Sequence, residues 1–185
     1  MSLVLLDRDG VINEDSDNYI RNADQWLPIP GSIDAIAKLS QAGYQVAVCT
    51  NQSGLARHYF QLADLDAMHQ KMRTLVEQAG GTIAGIYYCP HLPDAHCDCR
   101  KPLPGLIDQA AAELGVSAKG AAFVGDSLKD LQAALARDCL PVLVKTGKGP
   151  ATLERLSEHS SLSATPVFDN LAAFVECYLN DRTST

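Results

Sequence analysis

The apolar residues of this chain fall into short runs that alternate with longer segments of helical periodicity. Largely apolar runs, each too brief for a helix, occupy positions 3–6, 46–49, 83–88, 121–124, 141–144 and 167–168. Short apolar runs that are bounded by turn residues are typical of buried strands in a parallel sheet. The pattern therefore predicts a series of parallel strands, with the last run a short edge strand.

The segments between these runs place their apolar residues on one face of a helix. They predict a helix that begins at Ser32 and stops at Gly43, and further helices at 62–80, 104–114, 128–135, 152–159 and 171–179. Strands that alternate with helices imply a parallel sheet with helices on both faces. We expect a doubly wound, Rossmann-like α/β fold, with one domain over residues 1–180 and a flexible tail over 181–185.

Polar side chains follow the predicted strands at the points where the strands end. They are Asp7 and Asp9, Thr50 and Asn51, Asp126, and the segment 145–149. The carboxyl ends of parallel strands lie along one edge of a sheet, where binding sites form. We therefore expect these side chains to meet although they are far apart in sequence.

Asp7 and Asp9 leave the same face of the first strand, because strand side chains alternate. Two carboxylates this close need a bound cation or a proton. We expect Asp7 to be a nucleophile and a Mg²⁺ ligand, and Asp9 to be a general acid and base. The alternative is an exposed turn of the Asp-x-Asp-Gly type, which is common.

The other polar groups at this edge fit phosphoryl transfer, which requires positioning and charge neutralisation. Carboxylate oxygens, including those of Asp126, are the ligands that Mg²⁺ prefers. We expect Lys101 and Thr50 to stabilise the phosphoryl group while Asp7 forms an aspartyl-phosphate. The irregular segment 13–26 lies beside the Asp pair, so Asn13, Asp15 and Tyr19 are predicted to contact the substrate.

Net charge and composition limit the kinds of partner that the protein can bind. The chain has 185 residues and a formal net charge of −7, which disfavours a nucleic-acid partner. No apolar run is long enough to span a membrane, and the first residues lack the basic flank of a signal peptide. We expect a cytoplasmic monomer that acts on a small phosphorylated molecule.

His58 and His69 have no cysteine or histidine nearby in sequence that could bind a metal with them, so they are predicted to be surface or helix-face residues.

A cluster of cysteines precedes Lys101. Cys89, Cys97 and Cys99 together with His91 supply enough ligands for a closed tetrahedral Zn²⁺ site. His96 is a competing ligand, but it would crowd Cys97. With no open position the zinc would be structural, holding a loop (89–101) that carries Arg100 and Lys101. The remaining cysteines, Cys49, Cys139 and Cys177, are predicted to be ordinary core residues.

Four segments resemble, in order, the motifs of the haloacid dehalogenase superfamily of phosphatases. They are DRDGVIN from Asp7, TNQSG from Thr50, RKP from Arg100 and GDSLKD from Gly125. The resemblance implies that Mg²⁺ is held by Asp7, Asp126 and the backbone carbonyl of Asp9. It implies substrate contacts from Asn51, Gln52, Ser53 and Arg100. Asp130 would orient Lys101 or waters on the metal.

The cysteine cluster is similar to that of a zinc-bearing branch of this superfamily with two activities. One removes the 7-phosphate of D-glycero-D-manno-heptose 1,7-bisphosphate, a precursor of lipopolysaccharide heptose, and the other hydrolyses histidinol phosphate. The segments 50–57, 101–105 and 145–149 look more like the heptose enzymes, and Arg100 would then hold the phosphate that is not cleaved. The short spacer between His91 and Cys97 looks closer to the histidinol-phosphate enzymes.

No domain-sized insertion separates Asp7 from Thr50, so we expect no large cap domain. Two further hypotheses belong to other classes. One is a phosphoacceptor signalling domain, in which an aspartate holds a phosphoryl group without turnover. The other is a zinc-organised interaction module. A phosphoacceptor domain is disfavoured by the additional acidic group of Asp9, which would speed dephosphorylation. An interaction module is disfavoured by the polar residues at the strand ends.

Overall fold

A parallel sheet of six strands forms the centre of the molecule. The computed structural model describes residues 2–183, and its strand order is β3-β2-β1-β4-β5-β6. The strands are β1 (Leu3–Leu6), β2 (Gln45–Asn51), β3 (Gly85–Cys89), β4 (Ala122–Gly125), β5 (Leu140–Val144) and β6 (Val167–Phe168). All neighbouring strands in this order pair in parallel, which confirms the predicted α/β class.

Six α-helices connect and cover the strands. They are α1 (Ser32–Gln41), α2 (Leu62–Gln78), α3 (Gly105–Leu114), α4 (Leu128–Leu135), α5 (Gly149–Leu156) and α6 (Leu171–Thr183), and a short 3₁₀ turn spans Ser160–Leu162. None of these helices, within the part of the chain described, is long and apolar enough to cross a membrane.

The alternation of side chains along each strand divides the core between the two faces of the sheet. On one face Val4 and Leu6 pack in a cluster with apolar residues of α1, α2 and α6. On the other face Leu3 and Leu5 pack with residues of α3 and α4, and α5 joins through Leu156. Both faces of β1 are therefore buried, as a continuous apolar run predicts.

The register of the sheet brings the polar strand ends together. Leu6 of β1 is opposite Val48 of β2 and Val124 of β4. The amide of Asp7 then donates to the Val124 carbonyl at 2.9 Å, so the β1 and β4 ends lie side by side. Sites in open α/β sheets form at such carboxyl ends.

Some element boundaries and one burial prediction differ from the structure. Helix α5 starts at Gly149, three residues before the predicted start, because Pro150 is accommodated in its first turn. Cys177 is exposed and is not a core residue. Helix α6 includes 181–183, the first three residues of the predicted tail, and 184–185 lie outside the described residues.

Candidate active site

Three buried carboxylates meet at the carboxyl edge of the sheet. Asp7 follows β1, Asp126 follows β4, and Asp130 lies in the first turn of α4. One carboxylate oxygen of each lies within 4.8 Å of the others. Burial and the charge of Asp130 raise the pKa of Asp7 to about 7, against the opposing effect of Lys101. Burial and the charges of Asp130 and Asp7 raise the pKa of Asp126 to about 8.

These raised pKa values show how the site fits a divalent cation. Carboxyl groups crowded in a buried site resist ionisation together, and a bound cation removes that resistance. The donor set consists of hard oxygen atoms, as Mg²⁺ requires. Asp7 and Asp126 are the predicted Mg²⁺ ligands, and the structure brings their carboxylates together. It adds Asp130 to the same group.

Lys101 is held inside this group of acids. Its side chain is buried, and its ammonium nitrogen lies 2.8 Å from Asp7 Oδ1 and 2.6 Å from Asp130 Oδ1. Burial alone would lower the pKa of Lys101, but the charges of Asp130 and Asp7 raise it, so the side chain is charged. The ammonium also donates to the Cys49 carbonyl at 2.7 Å. Lys101 is therefore fixed beside the carboxylate that is the predicted nucleophile.

Asp9 is surrounded by hydrogen-bond donors. Arg8 donates through Nε and Nη2 to Oδ1 at 3.1 and 2.9 Å, and through Nη2 to Oδ2 at 3.0 Å. The side-chain amide of Asn13 donates to Oδ1, and that of Gln52 to Oδ2, each at 2.9 Å. Burial would raise the pKa of Asp9, but the Arg8 charge and these donors hold it below its usual value.

This environment differs from the one expected for a general acid. The Asp9 carboxylate is ionised here, whereas an acid must carry a proton to the leaving group. Its side chain is 23% exposed and lines the cavity. To act as the predicted acid, Asp9 has to take up a proton on Oδ2, which Gln52 and Arg8 Nη2 contact, while Oδ1 stays bound to Arg8 and Asn13.

The last residues of β2 and the two that follow it connect the other parts of the site. Gln52 donates to both Asp9 and the Thr50 hydroxyl, at 2.9 Å in each case. The side chain of Asn51 accepts from the Lys101 amide and donates to the Lys101 carbonyl. Thr50 and Ser53 are buried at the cavity wall. Asn51 and Gln52, predicted to bind substrate, thus hold Lys101 and Asp9 in place.

A cavity of about 510 Å³ opens above these groups. Its wall includes most of the predicted site residues, namely Asp7, Asp9, Asp15, Tyr19, Thr50, Asn51, Gln52, Ser53, Arg100, Lys101 and Asp126. Asn13 is an exception, because it is fully buried and does not line the cavity. Its amide supports Asp9, so the structure places Asn13 behind the site, away from the predicted substrate contact.

Several contributors to the site were not predicted. Arg8 is fully buried and bound to Asp9. Lys148 donates its amide to Asp126 Oδ2 at 2.8 Å, and its ammonium lies 3.4 Å from Asp15 across the cavity mouth. Thr152 donates to the Asp126 carbonyl. The polar segment 145–149 after β5 was a signal for Lys148, but nothing in the sequence pattern pointed to Arg8 or Thr152.

Gly10 turns the backbone away from the site. Its φ is +82°, and a Cβ at this position would overlap the Asp126 carboxylate. A Cβ at Gly147 would overlap the same Asp126 oxygen and also the Gly10 Cα. Asp126 is therefore packed against two adjoining glycine backbones, which explains why neither position accepts a side chain without displacing the carboxylate.

The predicted zinc ligands form a second cluster beside the cavity. Cys89 Sγ lies 3.5 Å from His91 Nδ1 and 3.6 Å from Cys97 Sγ, and Cys99 Sγ lies 3.3 Å from His91 Nδ1. Ligand atoms bound to one tetrahedral zinc are separated by about 3.5–3.8 Å, from metal–ligand bonds of about 2.1–2.3 Å. The four groups fit one ion, and His96 is not among them.

The cluster of predicted zinc ligands is joined directly to Arg100. The guanidinium of Arg100 donates to the His91 carbonyl at 3.3 Å. The Arg100 amide hydrogen-bonds the Cys97 thiol and, with other neighbouring donors, lowers the pKa of that thiol to about 7 despite the opposing effect of burial. The loop that holds the cysteines therefore also sets where Arg100 enters the cavity.

Comparison with known proteins agrees with this architecture. A D-glycero-beta-D-manno-heptose-1,7-bisphosphate 7-phosphatase of Pseudomonas aeruginosa is 57% identical over 178 residues, 96% of this chain and 98% of that protein. The Neisseria meningitidis serogroup B protein of the same name is 48% identical over 184 residues, covering 100% of this chain and 98% of its own. The crystal structure of the D,D-heptose 1,7-bisphosphate phosphatase from B. bronchiseptica, complexed with magnesium and phosphate, superposes with a TM-score of 0.92 at 47% identity, covering 98% of this chain and 99% of that one.

A family model agrees with these relatives. The model described as haloacid dehalogenase-like hydrolase matches residues 1–136, which contain the β1 and β2 ends, the zinc cluster and the Asp126–Asp130 segment. The identity and coverage of the relatives extend that match over almost the whole chain. This chain belongs to the haloacid dehalogenase-like hydrolase family.

Proposed function

We propose that this protein is a Mg²⁺-dependent phosphatase that removes the 7-phosphate of D-glycero-β-D-manno-heptose 1,7-bisphosphate. The observation that supports it most is the convergence of Asp7, Asp126, Asp130 and Lys101 on one cavity. The relatives named as heptose bisphosphate 7-phosphatases give the substrate and its anomer. The reaction serves the synthesis of the heptose precursor of lipopolysaccharide.

In this reaction an oxygen of the Asp7 carboxylate attacks the phosphorus atom. A bond forms between Asp7 and phosphorus, the bond from phosphorus to the C7 oxygen breaks, and Asp9 gives a proton to that oxygen. Asp9 then takes a proton from the water that hydrolyses the aspartyl-phosphate, which releases inorganic phosphate and restores Asp7. Lys101 and Thr50 neutralise and position the phosphoryl oxygens.

Asp7, Asp126 and the backbone carbonyl of Asp9 would hold Mg²⁺. When bound, the ion neutralises charge on the phosphoryl group and keeps Asp7 ionised at pH values below its raised pKa of about 7. Asp130 holds Lys101 through their ion pair of 2.6 Å, so Lys101 stays in place when Asp7 gives up its own 2.8 Å contact with the ammonium to attack phosphorus.

The second phosphate of the substrate suits the basic part of the cavity wall. The basic residues that line the cavity, besides Lys101, are Arg100, Lys129, Lys148 and Arg155. The net charge of the chain is −7, so an anionic substrate needs such a local positive region. We assign Arg100 to the phosphate that is not cleaved, with Zn²⁺ on Cys89, His91, Cys97 and Cys99 keeping its loop in place.

A second candidate, hydrolysis of histidinol phosphate, is favoured by one feature, the short spacer between His91 and Cys97. Both reactions use the same chemistry, but the substrates differ in the group that would contact Arg100. Heptose bisphosphate brings a second phosphate, and histidinol phosphate brings a cationic amine. A cation beside Arg100 would be repelled, whereas a phosphate would be attracted. The structure therefore supports the bisphosphate as the better substrate.

Initial rates on purified protein with Mg²⁺ test this proposal. We expect the β anomer of the heptose bisphosphate to have a higher kcat/KM than the α anomer, and a far higher one than histidinol phosphate. Equal or reversed preference between heptose bisphosphate and histidinol phosphate would contradict the proposal. Turnover that persists in Asp9→Asn would instead support a phosphoacceptor domain. Location in the cytoplasm and a monomeric state remain predictions, the latter testable by light scattering.

A further inference from the structure

Arg8 is an unusual residue for the interior of an α/β domain. Its side chain is fully buried, beneath the edge of the sheet where the catalytic groups lie. It faces Asp9 with two nitrogen atoms, Nε towards Oδ1 and Nη2 towards Oδ2, in the paired geometry that fixes a carboxylate most firmly. A buried guanidinium has no water to satisfy its remaining N–H groups, so its other contacts decide its orientation.

The remaining end of the guanidinium is held by helix α2. Arg8 Nη1 donates to His69 Nε2 at 3.3 Å and approaches Met68 Sδ at 4.0 Å. His69 is also buried, and its ring lies 6.1 Å from that of Tyr88. Burial and the Arg8 charge lower the pKa of His69 to about 3, so the ring is neutral and Nε2 can accept.

We propose that His69 is a positioning residue that sets the orientation of Asp9 through Arg8. The chain of contacts runs from α2 through His69 Nε2, the Arg8 guanidinium and the Asp9 carboxylate to the cavity. His69 does not line the cavity, and its hydrogen bond goes to Arg8. Without its acceptor nitrogen the guanidinium turns, and the carboxylate that it holds turns with it.

This inference rests on the proposed function, because it assigns a role in delivering a proton to the leaving oxygen. A purely structural His69 would support the packing of α2 and nothing else. The two roles predict different effects of a His69 substitution on substrates with different leaving groups. An alkoxide such as the C7 oxygen of a sugar needs a proton when it departs, whereas p-nitrophenolate is stable without one.

The experiment compares kcat/KM for heptose 1,7-bisphosphate and p-nitrophenyl phosphate, since kcat/KM covers only the steps up to phosphoryl transfer to Asp7. His69→Leu removes the acceptor and His69→Gln retains one. Val76→Ala is the matched control, because Val76 is buried on the same helix and its truncation destabilises α2 without touching Arg8. Activities are expressed per folded molecule, determined by circular dichroism.

We expect His69→Leu to lower kcat/KM for the heptose substrate by about tenfold or more, a part of the roughly 10²–10⁴-fold that general acid–base catalysis supplies. The value for p-nitrophenyl phosphate changes by less than about threefold. His69→Gln restores most of the loss, and Val76→Ala leaves the ratio of the two substrates unchanged. An equal fall on both substrates, or no fall in His69→Leu, would overturn the inference. Wild-type protein that does not hydrolyse the heptose substrate would instead refute the proposed function.

Discussion

The strongest single test of the metal site is the substitution Gly10→Ala, which adds a methyl group at Gly10. This glycine has φ +82°, and a Cβ there would overlap Asp126 Oδ2 and lie 3.1 Å from the Gly147 Cα. Gly43 provides a matched control, because its φ is +87° and a Cβ there meets nothing within 4 Å. Gly10→Ala and Gly43→Ala therefore introduce the same backbone strain, and only Gly10→Ala also pushes on a predicted Mg²⁺ ligand.

The magnitudes follow from this difference. A left-handed backbone costs a residue with a Cβ roughly 1–2 kcal/mol, so Gly43→Ala loses about that much free energy of unfolding and Gly10→Ala loses at least as much. In Gly10→Ala, Asp126 also has to move away from the Lys148 amide, to which it is bonded at 2.8 Å. Its carboxylate is then out of place for the cation, and we expect Mg²⁺ affinity to fall by at least about tenfold, or about 1.4 kcal/mol.

Two measurements separate these effects. Urea unfolding in EDTA gives the loss of stability, and calorimetric titration with MgCl₂, together with the Mg²⁺ dependence of kcat, gives the loss of affinity. We expect Gly43→Ala to bind Mg²⁺ as the wild type does. If Gly10→Ala bound Mg²⁺ within twofold of Gly43→Ala, Asp126 would not be a ligand and our description of the site would be wrong.

Three further predictions concern the nucleophile, the zinc loop and pH. Asp7→Asn should lower kcat by at least about 10³-fold, as loss of a nucleophile does, and leave circular dichroism and zinc content unchanged. Loss of zinc as well would mean that the two metal sites are one. Cys99→Ser should release zinc, measured by atomic emission, and lower kcat/KM about 10- to 100-fold through a misplaced Arg100, whereas Mg²⁺ affinity is preserved; full activity without zinc would contradict the role given to the loop. The folded-state pKa values of about 7 for Asp7 and about 8 for Asp126 lie above the ordinary 3.8, so without a cation the folded state loses stability as pH rises from about 4 to about 8. The increase in Tm that Mg²⁺ produces should therefore be near zero at pH 5.5 and grow towards pH 8.5 in differential scanning calorimetry, and an increase independent of pH would argue against these two carboxylates as the ligands.

The order and type of the secondary structure were predictable from local pattern. Both faces of β1 are buried, so its residues are continuously apolar, and the polar residues begin where the strand leaves the core. The same rule located Asp7, Thr50 and Asp126 at strand ends. The cluster of Cys89, His91, Cys97 and Cys99 was also predictable, because metal chemistry restricts the residue types of a metal site and these residues lie close together in sequence.

The partners of each functional side chain were not predictable in this way. Asn51 and Gln52, the predicted substrate ligands, line the cavity and also hold Lys101 and Asp9. Asn13 stands behind Asp9, away from the cavity. Arg8 lies between two aspartates and had no predicted role, because its contact with His69 arises only when α2 packs against it. A hydrogen bond depends on where two side chains lie in space, and sequence spacing does not contain that for residues on different elements.

The sequence by itself thus determined which groups stand at the carboxyl edge, since burial of both sheet faces forces polar residues to the strand ends. Only the tertiary structure decided how those groups are charged and oriented. The pKa of a buried carboxyl depends on the distances to neighbouring charges, and these arise from packing β1, α2 and α4 around one point. Asp7 and Asp9 are two residues apart, yet their pKa values are shifted in opposite directions for that reason.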